Sequence, residues 1–329
     1  MTVHRVVVGV LAVALISTVS ARSQEPGQPS SIEDSMTRLG SLPLDAGKRS
    51  QLQLAIQEHN YSEAESLLAA EAKRDPKSQP LLLLLANLLF LDGKQLNAVL
   101  VLKKAELLAP LDERSRFLLA LSYIALGEKN LAIPQLEQLA SANPTKAVYP
   151  YWLSRLMYRK MDLERAVVYA QKAVRLDPGF AKGYDQLGLC YAGLNQNEAA
   201  IRAYEDSIRL SNEQSMHWPW PSMNLGTLYI RLDRLDEAEA ALRSSIAVEP
   251  QFPVAHFRLG QVLEKKGNLA AASHELAEAA KLDPTYPEPH YVLARIARHQ
   301  HDEKLAEQEL QLFKDLRATD KQKGITRPD

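Results

Sequence analysis

The sequence predicts an all-α protein, a solenoid of antiparallel helix pairs, and three periodic features predict it. Alanine recurs at one fixed offset in every repeat, and a leucine followed by a small residue recurs at another. Proline recurs every 34 residues, first over four positions and then over two: Pro76, Pro110, Pro144, Pro178, and Pro250, Pro284. A fixed period of this length is typical of stacked repeats, each of which packs on its neighbours.

The first helix of each repeat is predicted from one apolar face. In seven repeats a leucine, a small residue and a third, mostly large apolar residue fall at i, i+1 and i+4, which places them on one side of a helix. The small residues are Ala86, Ala120, Ser154, Gly188, Gly226, Gly260 and Ala294. The first repeat departs from this pattern, because Gln51 and Leu52 stand at the first two positions.

A tight turn and a second helix complete each repeat. The turn residues Gly93, Gly127, Asn195, Asp233 and Gly267 tolerate the left-handed backbone that ends a helix. The second helix then carries the recurrent alanine where it comes closest to the first helix, and a larger side chain there would cost roughly 1–3 kcal/mol. These alanines are Ala64, Ala98, Ala132, Ala166, Ala200, Ala238, Ala272 and Ala306. The proline that follows cannot continue the helix.

The order leucine, small residue, aromatic, alanine and proline within 34 residues resembles the tetratricopeptide repeat. The best copies are "YDQLGLCYAGLNQNEAAIRAYEDSIRL", "SMNLGTLYIRLDRLDEAEAALRSSIAVEP" and "AHFRLGQVLEKKGNLAAASHELAEAAKLDP". About eight units cover residues 45–320 and start near residues 45, 79, 113, 147, 181, 219, 253 and 287. The resemblance implies a right-handed superhelical solenoid whose first helices line a concave groove.

One four-residue insertion, near residues 213–218, interrupts the phase, and Asn212 stands where a proline is expected. We expect the insertion to lengthen the loop into the sixth unit. This stretch ends in "HWPW", with Trp218 and Trp220. The two rings either pack on the neighbouring repeat and fill the joint, or form an aromatic ledge for a partner chain or a sugar ring.

The ends of the chain carry separate predictions. "MTVHRVVVGVLAVALISTVSA" has a basic start, an apolar run shorter than the ~20 residues of a bilayer span, and small residues at its end. This pattern predicts a signal peptide over residues 1–21 and export to the periplasm or extracellular space, with an uncleaved membrane anchor as the alternative. Residues 22–44 are predicted to be a flexible linker and 321–329 a polar tail.

Composition and motifs exclude several function classes. The formal net charge is −1 with both signs interspersed, so nucleic acid is not an expected partner. Neither metal-ligand spacing nor a catalytic motif is present, and the single cysteine, Cys190, is expected to be inert packing. We therefore expect no cofactor, no metal and no enzymatic activity.

The groove implied by the resemblance is the predicted binding site for a partner segment. Aromatic and apolar side chains would take its apolar residues, and arginines would take its acidic groups. The alternative is that the aromatic side chains pack between neighbouring first helices. The predicted partner-binding residues are Phe117, Tyr151, Arg155, Tyr158, Arg159, Met223, Arg231, Phe257, Tyr291, Arg295, Trp218 and Trp220.

The functional hypothesis is an exported, non-catalytic scaffold that binds other proteins or extended peptide segments. Two alternatives stay open at this point. One is an envelope- or carbohydrate-associated binding protein, and the other is a non-catalytic subunit of an enzyme complex.

Overall fold

The structure, a computed structural model, describes residues 32–42 and 44–323. This part of the chain forms seventeen helices and contains no β-strand. The predicted all-α fold of consecutive helix pairs is confirmed. The proposed signal peptide of residues 1–21 lies outside the described residues.

The described chain divides into two compact units, 32–156 and 157–323, with the boundary inside one helix. The helices of the first unit are α1 (Ile32–Gly40), α2 (Ala46–Gln57), α3 (Tyr61–Arg74), α4 (Gln79–Leu91), α5 (Gln95–Leu108), α6 (Glu113–Ala125) and α7 (Lys129–Ala142). Helix α8 (Val148–Arg159) contains the boundary.

The helices of the second unit are α9 (Leu163–Leu176), α10 (Ala181–Gly193), α11 (Asn197–Glu213), α12 (Trp220–Arg231), α13 (Leu235–Val248), α14 (Pro253–Lys265), α15 (Leu269–Leu282), α16 (Glu288–His299) and α17 (Glu303–Lys323). The even-numbered helices from α2 to α16 are the first helices of the repeats. Each begins within one residue of the unit start expected from the sequence.

Within α1–α7 and within α9–α17, every helix packs on the next one along the chain, and several neighbouring first helices also touch each other. Such contacts join α4 with α6 in the first unit, and α10, α12, α14 and α16 in the second. The first helices of a unit therefore lie side by side and form one surface, here called the first-helix surface.

Close packing inside each pair explains the recurrent small residues. All eight recurrent alanines are completely buried. A Cβ atom added to Gly226 would lie 2.6 Å from Leu242 Cγ, and one added to Gly260 would lie 2.6 Å from Leu276 Cγ. The small positions therefore let the second helix approach the first.

A residue with positive φ ends the first helix in every repeat. The angles are 73° at Gly93, 79° at Gly127, 58° at Asn195, 57° at Asp233 and 79° at Gly267. His59, Met161 and His301 adopt the same conformation in the remaining three repeats, with φ of 59°, 60° and 61°. None of these three positions holds glycine or asparagine, so the packing of the helix pair imposes the conformation.

The prediction that residues 22–44 form a flexible linker is wrong for residues 32–40, which form α1. Leu39 and Leu42 are 2% and 1% exposed and belong to the core of the first two repeats. Burial of this apolar face stabilises a segment that composition alone marks as polar. At the other end, α17 continues through residues 321–323 of the predicted polar tail.

The insertion lengthens the loop into the sixth unit, as expected, and it also extends the helix before that loop. Helix α11 has 17 residues, whereas α9 and α13 have 14. Because Asn212 replaces the proline that stops the other second helices, α11 continues to Glu213. Ser215, at φ 52°, then turns the chain toward α12.

Candidate partner-binding surface

Each first helix presents three positions, i, i+4 and i+7, on the first-helix surface. The equivalent positions of successive first helices form three columns, here called columns one, two and three. In the second unit, column one contains Asp185, Met223, Phe257 and Tyr291. Column two contains Leu189, Thr227, Gln261 and Arg295. Column three contains Ala192, Ile230, Glu264 and Arg298, preceded at the end of α8 by Tyr158.

Column one is buried in the second to the seventh repeat. Four predicted binding residues in it have little exposed surface: 4% for Phe117, 7% for Tyr151, 0% for Met223 and 3% for Phe257. Their burial favours the packing alternative, and their contact with a partner stays a prediction.

The next repeat, or the loop that leads into it, supplies the cover. The ring of Phe117 meets Tyr149 edge-on at 5.3 Å, and that of Phe257 meets Tyr286 edge-on at 5.2 Å. Tyr291 is 48% exposed because no further first helix follows α16 among the described residues; its ring centre lies 5.2 Å from that of Phe313 on α17. Phe117 and Phe257 thus help to form the joint to the repeat that follows each of them.

Columns two and three of the second unit form the accessible part of the surface. Their members are half-buried on α10, α12 and α14 and exposed on α16. The side chains change from apolar, at Leu189, Ala192 and Ile230, to charged, at Arg295 and Arg298. Sequence reasoning chose Arg295 and Tyr158 from these two columns but passed over Leu189, Ile230 and Arg298, because the columns share no single residue type.

The predicted arginines differ in how strongly they are held. Arg295 pairs with Glu264 on the preceding first helix, Nε to Oε1 at 2.6 Å, and the carboxylate hydrogen bond raises the pKa of Arg295. Arg231 donates to the Ala192 carbonyl at 3.0 Å and to Asn197 Oδ1 at 3.3 Å. Arg298 is not among the predicted residues; its side chain is exposed and makes no hydrogen bond or ion pair with any described residue.

Three more predicted binding residues lie on α8. The Arg155 guanidinium stacks 4.3 Å from the centre of the Trp152 ring and 5.6 Å from that of Tyr151. Tyr158 and Arg159 are half-buried, and burial raises the pKa of the Tyr158 hydroxyl.

The two insertion tryptophans are packed by neighbouring side chains. The ring centres of Trp218 and Trp220 are 6.4 Å apart, and Trp220 meets Phe252 edge-on at 4.9 Å. Lys182 Nζ lies 4.7 Å from the centre of the Trp218 ring. These contacts favour the interpretation that the pair fills the joint left by the insertion.

Other kinds of site were sought among the described residues. No group of three or more His, Cys, Asp or Glu residues there is placed to hold a metal ion, and Cys190 is fully buried. Across 32–42 and 44–323, every helix is too short or too polar to span a bilayer.

Comparisons with known proteins agree with this geometry. A tetratricopeptide repeat family model matches residues 117–179 and 223–287, and a second model of the same description matches residues 181–214. The three matches cover the middle of the chain in the register of the structure.

Two fungal relatives match parts of the chain. Protein bimA of Emericella nidulans is 31% identical over 89 residues, which are 27% of this chain and 10% of bimA. Anaphase-promoting complex subunit CDC16 of Saccharomyces cerevisiae is 25% identical over 211 residues, which are 62% of this chain and 24% of CDC16. The chain thus spans a tenth and about a quarter of the length of these two proteins.

Solved structures share the fold at low sequence identity. Cut9–Hcn1, described as a hetero-tetramer of APC/C, gives a TM-score of 0.58 at 17% identity, covering 86% of this chain and 53% of that one. PilF of Pseudomonas aeruginosa gives 0.55 at 16% identity, covering 63% and 97%. The type IV pilus biogenesis factor PilW gives 0.55 at 17% identity, covering 60% and 90%.

Proposed function

The chain is a tetratricopeptide repeat protein, and from that premise we propose that it is an exported, non-catalytic scaffold that binds a segment of another protein. The observation that carries the proposal is the accessible part of the first-helix surface in residues 157–323. Four first helices lie side by side there and present columns two and three.

The chemistry of this surface indicates the kind of segment it binds. Half-buried Leu189 and Ile230 offer apolar contact area on α10 and α12, and desolvating it on binding is favourable. Arg298 on α16 offers a guanidinium that can take a carboxylate by two parallel hydrogen bonds. The segment we propose is apolar along α10 to α12 and acidic where it reaches α16.

The ionisable groups support a non-catalytic role. Many lowered carboxylate pKa values belong to residues at helix starts. The pKa of Asp45 is lowered by the Lys48 backbone N–H, and that of Asp162 by the Arg165 side chain. Perturbed groups at an active site would instead gather in one cleft.

A second candidate role is a structural subunit of a larger assembly. CDC16, which matches 62% of this chain, is by its name a subunit of the anaphase-promoting complex. A subunit role uses the same surface, but with a permanent partner.

Peptide selection tests the binding surface. Peptides selected from a random phage library on the full chain are measured against the chain and its variants by isothermal titration calorimetry. We expect Ile230→Glu to weaken binding by at least about tenfold, since it places a charge in the apolar contact. Arg298→Glu should weaken only the peptides that carry acidic residues.

Val168→Glu is the matched control for this test. Val168 is 58% exposed on the second helix α9, and the substitution adds the same charge away from the first-helix surface. Equal binding by Ile230→Glu and Val168→Glu, with circular dichroism unchanged, contradicts the proposed surface.

Export is tested separately. Residues 1–31 fused to alkaline phosphatase, which is active only outside the bacterial cytoplasm, should give activity in whole cells. Mass spectrometry of the purified native protein should show a first residue of Arg22. An intact Met1 on the exported protein contradicts cleavage after Ala21.

A further inference from the structure

Helix α1 packs on the first repeats although it belongs to none of them. It contacts α2 and α4, and Leu39 lies in the same buried cluster as residues of α2 to α4. Ile32 and Met36 pack against that cluster from the same face of α1. A nine-residue segment outside the repeat register is therefore docked as an amphipathic helix.

The surface under α1 is the first-helix surface of the first unit. Asn87, which α1 covers, is the column-two residue of α4 and is 1% exposed. Its Nδ2 donates to Ser35 Oγ at 2.7 Å. The column-two position is half-buried or exposed in the next repeats, so α1 occupies the place where a partner segment would lie.

Charged groups fix the direction of α1. The buried carboxylate of Asp34 pairs with Arg38, at 2.9 Å, and with Arg114 on α6. Arg38 in turn reaches Asp112, the residue that caps α6, at 3.3 Å. One acidic and one basic residue of α1 thus bind complementary charges at the start of α6.

This docking leaves one polar atom unsatisfied. The Asn87 side chain has a donor and an acceptor, but Ser35 pairs with only one of them, and Oδ1 is buried without a hydrogen bond. An amide side chain in place of Ser35 could pair with both atoms of Asn87. A helix that carries Asn or Gln there would bind this surface better than α1 does, because buried unpaired polar atoms are unfavourable.

We propose that the surface of α4 and the start of α6 is a helix-binding site with α1 as its resident ligand. The partner it fits is an amphipathic helix with an acidic residue at the place of Asp34, Asn or Gln at the place of Ser35 and leucine at the place of Leu39. Such a helix displaces α1, which is too short to persist as a free helix. This site lies in the first unit, whereas the proposed function concerns a surface of the second.

The test uses the full-length chain and labelled peptides of residues 32–42, with the natural sequence or with Ser35→Gln. Asp34→Lys in the chain loosens α1 and leaves Asn87 and Arg114 intact. Fluorescence anisotropy should show the peptides binding to this variant at least about tenfold more tightly than to the wild type, the ratio expected for one lost charge-assisted contact. The Ser35→Gln peptide should bind more tightly than the natural one, by about fivefold or more, since it satisfies Asn87.

Glu33→Lys is the control variant, since it makes the same charge change on the exposed face of α1 and should leave peptide binding at the wild-type level. Hydrogen exchange should be faster in α1 of Asp34→Lys and unchanged in α4 and α6. If exchange also rises there, Asp34→Asn, which removes the charge and keeps the size, replaces it.

The proposal is overturned if the loosened chain, with α4 protected, binds the peptides no better than the wild type or Glu33→Lys. It is also overturned if the natural and Ser35→Gln peptides bind equally. Neither outcome affects the peptide selection on the second unit, so failure of this inference is distinguishable from failure of the proposed function.

Discussion

Replacing Gly188 with alanine tests how tightly a helix pair is packed. Gly188 lies on α10 against the ring of Tyr204, which is 1% exposed on α11. An added Cβ would lie 2.5 Å from Tyr204 Cε1 and 2.6 Å from Cδ1, well inside contact distance. Two opposing effects then decide the stability of the variant.

The helix itself gains from the substitution, because alanine in a helix interior is favoured over glycine by about 1 kcal/mol. The core loses, because inserting one carbon into a packed interior costs about 1–3 kcal/mol, and a rigid, fully enclosed ring places this site near the upper end. We therefore expect Gly188→Ala to lower the free energy of unfolding by about 2 kcal/mol.

Gly260→Ala is the matched comparison. Its added Cβ meets Leu276, and the equivalent positions of the second repeat hold an alanine and a leucine, Ala86 and Leu102, both fully buried. Since leucine accommodates alanine in that repeat, we expect the overpacking to cost only about 1 kcal/mol and the net change to be near zero.

Urea unfolding followed by circular dichroism measures the free energy of unfolding of both variants. Hydrogen exchange of α10 and α11 measures the local destabilisation in Gly188→Ala. Adding Tyr204→Leu to Gly188→Ala rebuilds the alanine–leucine pair, so the double variant should be more stable than the sum of the single effects. The packing argument fails if Gly188→Ala is as stable as the wild type, or if Gly260→Ala loses more.

Three further outcomes are expected. The double substitution Trp218→Ala with Trp220→Ala should lower Tm by about 5 °C, since it opens the packed joint at the insertion; an unchanged Tm would leave the ledge interpretation standing. Burial opposes a low pKa at Asp112, but hydrogen bonds from Ser115 and the charge of Arg38 lower it below its ordinary 3.8. The unfolded chain therefore takes up a proton at Asp112 at a higher pH than the folded chain does. The free energy of unfolding should fall as the pH falls below about 4, and it should fall less in Asp112→Asn. Cys190, fully buried, should not react with Ellman's reagent until the protein unfolds; rapid reaction of the native protein would contradict its burial.

The sequence determined the repeat, its register and the pairing of helices. Leucine, small residue, alanine and proline act locally: they set helix faces, close approaches and helix ends within one repeat. For this reason each predicted first helix begins within one residue of its expected start. The same local pattern located the insertion, since Asn212 stands where a helix-ending proline is expected.

Only the tertiary structure decided which surface is accessible. The chemistry of Phe257 suits a groove or a core equally, and Tyr286, in the loop into the next repeat, packs against it and helps to leave it 3% exposed. Helix α1 is likewise invisible to the 34-residue period, because it is stabilised by contacts with α4 and α6, far along the chain. The 34-residue period reflects interactions inside one repeat, whereas the exposure of a side chain depends on which other segments of the chain pack over it.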